Sequence, residues 1–174
     1  MEYSIKGKVE KIESMMILRI EEAVSKKLPS RSMVMVCGKI KETIFTAPLE
    51  PDGRGGHFMP IEKEHAGLLD IKEADEIEFD FDVVKDWPEP IIPEDVQKRI
   101  EEEDLAESWQ DLTTKARWEW IRWIRSTKNE KTRAKRIEVA ISKLEKGDRR
   151  PCCFDSSQCT ITEVAKSGKL LERY

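Results

Sequence analysis

Three prolines, Pro88, Pro90 and Pro93, crowd into the stretch DWPEPIIPED at 86–95, and they divide the chain. Proline has no backbone N–H and keeps the preceding residue out of the helical region, so this stretch can be neither a regular helix nor a central strand. It reads as a stiff, extended connector. Strand-like alternation comes before it and helical periodicity after it. That order predicts an α+β protein with a small β-barrel over about 1–90, a C-terminal α-helical hairpin over 91–150, and a tail at 151–174.

The strand half has its clearest signal at 76–84. Ile77, Phe79, Phe81 and Val83 alternate with Glu78, Asp80 and Asp82, the period of a half-buried strand. Segments 33–40 (MVMVCGKI) and 15–20 (MMILRI) read as further strands. PDGRGGH at 51–57 reads as a hairpin or loop tip, because its glycines tolerate positive φ. A short helix is expected within 61–75, ending near Asp70. Gly7-Lys8-Val9 and Gly38-Lys39-Ile40 share a core within strand-like segments, which suggests two similar β-halves whose glycines permit close backbone approach.

In the helical half, Glu94 and Asp95 follow Pro93 and suit the positive end of a helix. Thr113 or Thr114 can cap a helix to about Lys128. Asn129 can cap the next, which Gly147 would end. A short strand at 158–164 is the one element suggested for the tail.

The formal charge of -4 conceals a segregation. Residues 94–114 hold two Lys/Arg against eight Asp/Glu, whereas residues 115–136 hold nine against two. Such asymmetry bears on partners rather than on fold. No apolar run is long enough to span a bilayer and the N-terminus has no secretory pattern, so the expectation is a cytoplasmic protein with no membrane association. The spacing of Cys37, Cys152, Cys153 and Cys159 does not form a secreted disulfide framework.

The order of motifs resembles a known family. Pro93-Glu94-Asp95 is followed by Trp109 and Leu112, an aromatic helix at 116–125, and KTRAKRI at 131–137 with Leu144 and Gly147 beyond. This is similar to the bacteriocin-protection, YdeI/OmpD-associated family, whose T-R-x-x-R-I motif is matched by Thr132, Arg133, Arg136 and Ile137. The first half resembles the small barrel domain of unknown function often joined to that hairpin. The resemblance implies a barrel like the double-split barrel of AbrB-type regulators, in which two chains build what one chain would build here. It covers residues 3–150 and departs at Ala74-Asp75, where such barrels commonly carry Gly-Asp. It implies a protective role without naming a reaction.

The aromatic helix places Ala116, Trp120, Trp123 or Ile124, and Thr127 on one stripe, so Trp109, Trp120 and Trp123 are expected to fill a core between helices and barrel before they stack on any ligand. Arg117, Arg122, Arg125, Lys128, Lys131, Arg133, Lys135 and Arg136 are the candidates for binding an anion or nucleic acid. Against that, the acids at Glu101–Asp104, Glu107 and Asp111 can neutralise them. Arg133 and Arg136, three residues apart, suit an ion-pair or capping device. Glu78, Asp80 and Asp82 read as a solvated face. The C-C-x5-C thiols lack paired zinc ligands. Arg54 and His57 are loop candidates, with His57 expected at the surface of a hairpin tip.

Taken together, the sequence predicts a non-enzymatic binding or stress-protection protein, monomer or homodimer, that docks nucleic acid or an acidic protein on its basic helices. It assigns no catalytic residue, no metal and no cofactor. The rival reading is a small-molecule binding protein or enzyme that uses a crevice between barrel and hairpin with His57.

Overall fold

The computed structural model describes residues 1–151, 155–161 and 164–165, the side chain of Glu64 aside. Six strands close into a barrel: β1 (Tyr3–Ile12), β2 (Met15–Ile20), β3 (Val34–Ile40), β4 (Thr43–Pro51), β5 (His57–Ile61) and β6 (Glu76–Val83). Around the barrel their order is β1-β2-β5-β4-β3-β6, every pairing antiparallel. Two short helices belong to this unit, α1 (Glu22–Ser25) and α2 (Lys63–Leu69). Four more follow the connector: α3 (Glu94–Glu102), α4 (Ala106–Gln110), α5 (Thr114–Arg125) and α6 (Glu130–Glu145). The chain divides into a barrel unit through Lys85 and a helical unit from Asp86, with short tail segments assigned to each.

The barrel core gathers the inward positions of every strand, among them Ile5, Val9, Leu18, Val36, Leu49, Phe79 and Phe81. Along β6 the expected alternation holds: Ile77, Phe79 and Phe81 are buried while Glu78 and Asp82 are exposed. The repeated glycines lie on the two strands that flank β6, with Gly7 opposite Ile77 and Gly38 opposite Phe81. Gly38 is required sterically, because a Cβ there would lie 2.2 Å from the Phe79 ring and 2.8 Å from Asp80 O. The helix expected before Asp70 is α2, and Asp70 closes it in the left-handed region at φ 46°.

Two strands had no clear sequence signal. β4 contains Pro48 and Pro51, and β5 contains Pro60. Proline removes a ladder donor, so it argues against a central strand. Because β4 and β5 pair only at Glu50–Phe58 and Pro51–His57, Pro48 and Pro60 each have a strand partner on one side alone, Met35 of β3 and Ile17 of β2, and Pro51 is the last residue of β4. Pro48 and Pro60 lie beyond that ladder.

Both main helix caps are where the sequence put them. Thr113 Oγ1 accepts from Ala116 N at 3.2 Å, and Asn129 Oδ1 accepts from Thr132 N at 3.0 Å. Gly147, at φ 77°, follows the end of α6. The expected hairpin is α5–α6, with α3 and α4 packed against it. Their shared core contains Val96, Ile100, Trp109, Trp120, Ile124, Ile137, Ile141 and Leu144. Of the strand suggested at 158–164, residues 158–161 have no strand structure and 162–163 lie outside the described residues. Cys152 and Cys153 lie outside them as well.

Candidate functional site

The basic segment begins in α5, whose buried residues are Arg117, Glu119, Trp120, Ile121, Arg122 and Ile124; Trp120 and Ile124 of the expected stripe are among them, and Ala116 and Thr127 are half-buried. Trp109 and Trp120 are buried within the helical unit's own apolar cluster, and Trp123 is half-buried with its ring edge-on to Trp120 at 5.8 Å. An arginine therefore occupies a core-facing position, and its surroundings are polar. Arg117 Nε and Nη2 donate to the two carboxylate oxygens of Glu89 at 2.8 and 2.6 Å, while Nη1 donates to the carbonyls of Trp109, Gln110 and Leu112. Those carbonyls terminate α4, so one guanidinium ties the connector and the end of α4 to α5. The bond from Arg117 holds the Glu89 carboxyl below its usual range.

The connector is strapped along α5 by further contacts. Trp118 Nε1 donates to Pro88 O at 2.6 Å, Thr114 Oγ1 donates to Glu89, and the Lys115 ammonium lies over the Trp87 ring at 5.3 Å. Arg122 is 1% exposed and pairs with Glu119 one turn away at 3.1 Å. Arg133 grips Asp95 with two bonds of 2.6 and 2.8 Å, joining α6 to the first turn of α3. That grip lowers the Asp95 pKa and raises that of Arg133. Arg136 donates to Trp123 O and Ser126 Oγ at the carbonyl end of α5, with its guanidinium 5.4 Å from the Trp123 ring centre. Burial lowers the Arg136 pKa.

The candidate cations thus separate into two groups. Arg117 and Arg122 are inside the helical unit, and Arg133 and Arg136 act as the ion-pair and capping device that their spacing suggested. Arg125 and Lys128 also have interaction partners. Lys131 and Lys135 are exposed, and among the described residues neither has an ion pair. The carboxylates that engage Arg117 and Arg133 come from Glu89 and Asp95. Glu102 and Glu103, from the acidic run expected to neutralise the patch, pair instead with Lys98 and Arg99 on α3. A groove of about 560 Å³ lies between α3 and α6, floored by Ala134 and Ile137 and crossed by the Arg133–Asp95 pair.

The loop candidates have different fates. Asp52 organises the glycine-rich turn: its Oδ1 accepts from Arg54 N at 2.7 Å and from Gly56 N at 2.9 Å, with Gly53 and Gly55 at positive φ. Arg54 is exposed on that turn. His57 corrects the sequence reading, because it is the first residue of β5 and completely buried, not a surface residue at a tip. Its N–H donates to Ser25 Oγ at 3.1 Å and its Nε2 lies 3.2 Å from Ser32 O, clipping the segment after α1 to the sheet. Glycine-rich neighbours masked the strand start, and no sequence signal separated His57 from the turn. Among the described residues, no group of three or more His, Cys, Asp or Glu side chains is arranged to hold a metal ion. Among the same residues, no helix is long and apolar enough to cross a membrane.

A closed barrel followed by a helical unit held by buried arginines defines a two-part protein class, and sequence comparison assigns each part. Residues 89–147 match the family described as bacteriocin-protection, YdeI or OmpD-associated, and residues 6–81 match the domain of unknown function DUF1905. The helical unit therefore carries the region of the first family and the barrel that of the second, as the motif order implied. A search of curated proteins gives no match.

Proposed function

We propose that this is a non-enzymatic binding protein that docks a polyanion, a nucleic acid or an acidic protein, on the α5–α6 end of its helical unit. The observation that carries this reading is the state of Lys131 and Lys135. They stand one turn apart on α6, exposed and without an ion pair among the described residues, while the neighbouring arginines hold the helices together. Cations that stabilise nothing in the fold remain available to phosphate or carboxylate groups. Fully buried His57 gives no support to a site of acid–base chemistry. The description of the first family records protection and an association, that of the second an unknown function, and neither names a reaction.

A cytoplasmic setting belongs to this reading and is supported by the free thiol of Cys37. The short β3–β6 and β4–β5 ladders support a single-chain version of a double-split barrel.

The test is binding of random-sequence DNA and RNA duplexes, and of polyglutamate, at rising salt. With two free lysines the logarithm of affinity should fall with a slope of about -2 against the logarithm of salt on DNA. Replacing Lys131→Glu with Lys135→Glu should abolish that dependence. Undiminished binding by this variant, or no binding to any polyanion at low ionic strength, would rule the reading out.

A further inference from the structure

The barrel wall is interrupted between β4 and β5. β4 pairs with β3 along Thr43–Leu49, and β5 pairs with β2 along His57–Ile61. With one another they pair only at Glu50–Phe58 and Pro51–His57. Beyond those two pairs the strands part, and among the described residues each has a strand neighbour on one side alone. The break opens onto the barrel core, where Phe45, Met59, Ile61 and Ile71 line it.

Helix α2 closes this break. Leu69 is buried there, and the His65 ring lies 5.3 Å from that of Phe45, tilted by 34°. The space left beneath the helix is about 10 Å³, and every residue around it except His65 is apolar. A water needs about 10–15 Å³ and two or more polar partners, so this space suits an apolar group better than a water.

On its own α2 is a poor helix. It spans seven residues, where an isolated helix shorter than about 12–15 is marginal in water. Gly67 lies inside it and weakens it, although no atom stands within 4 Å of a Cβ built there and packing does not demand a glycine. Glu62 makes no capping bond at its start, and Asp70 ends it at φ 46°, where glycine is the usual residue. Tertiary contacts therefore sustain it. Ala66 and Leu69 are buried, His65 stacks on Phe45, and Lys41 Nζ reaches from the β3–β4 turn to donate to Leu69 O at 2.7 Å. A cation on the last carbonyls suits the negative end of the helix and acts as a latch.

An apolar opening beneath a helix of low intrinsic stability specifies both a motion and an occupant. We infer that α2 is a lid, latched by Lys41, over a site in the β4–β5 break for a small uncharged aromatic molecule. With α2 lifted, the ring of that molecule takes the place of His65 on Phe45, and its apolar body takes that of Leu69. The inference concerns the barrel alone and is independent of polyanion binding by the helical unit.

The probe is N-phenyl-1-naphthylamine, an uncharged dye whose fluorescence rises in apolar surroundings, titrated with the full chain. It should bind. Gly67→Ala strengthens the closed helix without touching its contacts, so it should slow amide exchange at residues 66–71 and weaken dye binding, each by about fivefold. Lys41→Gln removes the latch from an exposed position and should act in the opposite sense on both readouts, by about twofold or more. In the unaltered chain, amides 66–71 should exchange through an opening more frequent than that of the barrel strands. Exchange of these amides only together with the strands would overturn the inference. So would no dye binding up to its solubility limit, or unchanged dye affinity in both variants.

Discussion

The barrel and the helical unit both bury polar groups, but they use different chemistry. In the barrel the buried polar residues are Ser25, Glu50, Asp52 and His57, and the bonds described for Ser25, Asp52 and His57 run to backbone atoms near turns. In the helical unit they include Arg117, Glu119 and Arg122, full charges that reach other side chains and helix ends. The difference follows from secondary structure. Strands are joined to one another by their own backbone bonds, so a barrel needs side-chain bonds mainly where the ladder stops. Helices satisfy their backbones internally and must be joined by side chains, and the planar, five-donor guanidinium suits that task. The basic segment is therefore largely a fastening within the helical unit, and only its exposed remainder is free for a partner.

The strongest challenge to this contrast is Arg122→Ala. Removing the fully buried guanidinium takes away the cation that Glu119 pairs with at 3.1 Å, and breaking a buried pair costs about 3–5 kcal/mol. Urea denaturation followed by tryptophan fluorescence, which reports chiefly on the helical unit, should give that loss. Replacing both members, Arg122→Met with Glu119→Leu, should recover part of it, because the two charges of the pair then leave the interior together. A loss below about 1 kcal/mol in the single variant would mean that the charges do not hold the unit together.

A smaller effect is expected at Asp95, where the pair with Arg133 is partly exposed. Its folded pKa lies below the ordinary carboxylate value. The stability it contributes is therefore present above about pH 4 and is lost as pH falls through the depressed folded value. Asp95→Asn should destabilise the chain by about 1 kcal/mol at neutral pH. That deficit should shrink as pH falls below about 4. A deficit that stays constant from neutral pH to about pH 3 would assign the loss to something other than the ion pair.

Local signals are legible in this sequence, and long-range ones are not. Thr113 and Asn129 announce helix starts because a cap is chemistry confined to a few residues, and the alternation in β6 is equally local. The partners of the arginines differ from the neighbouring acids because Glu89 is 28 residues from Arg117 and Asp95 is 38 from Arg133. Sequence proximity favoured the acids at 101–111, whereas packing chose two carboxylates from before and within the first turn of α3. His57 and strand β5 were obscured for a related reason. Glycines and prolines advertise a turn, while the fact that the β4–β5 ladder has only two pairs, which is what admits prolines there, is a property of the closed barrel.

One local departure had a structural consequence that can be measured, and it gives the smallest expected effect with the opposite sign. Ala74 stands where the resemblance implies a Gly-Asp turn, and its φ is 75°. The turn is nonetheless held in that shape: Ala74 N donates to Val9 O at 2.9 Å, and Lys72 N donates to Asp75 Oδ2 at 2.8 Å. A side chain with Cβ in the left-handed region costs about 1–2 kcal/mol, and glycine avoids that cost. Glycine also loses more backbone entropy on folding, about 0.4–1 kcal/mol relative to alanine. The first term is the larger, so Ala74→Gly should stabilise the barrel by about 0.5–1 kcal/mol, seen as a higher urea midpoint at unchanged slope. Because the barrel is fastened by its ladder and turns, relief at one turn should register there and leave the Arg122 deficit unchanged. A destabilised Ala74→Gly variant would mean that the turn relaxes to negative φ in solution, and that the alanine is accommodated without strain.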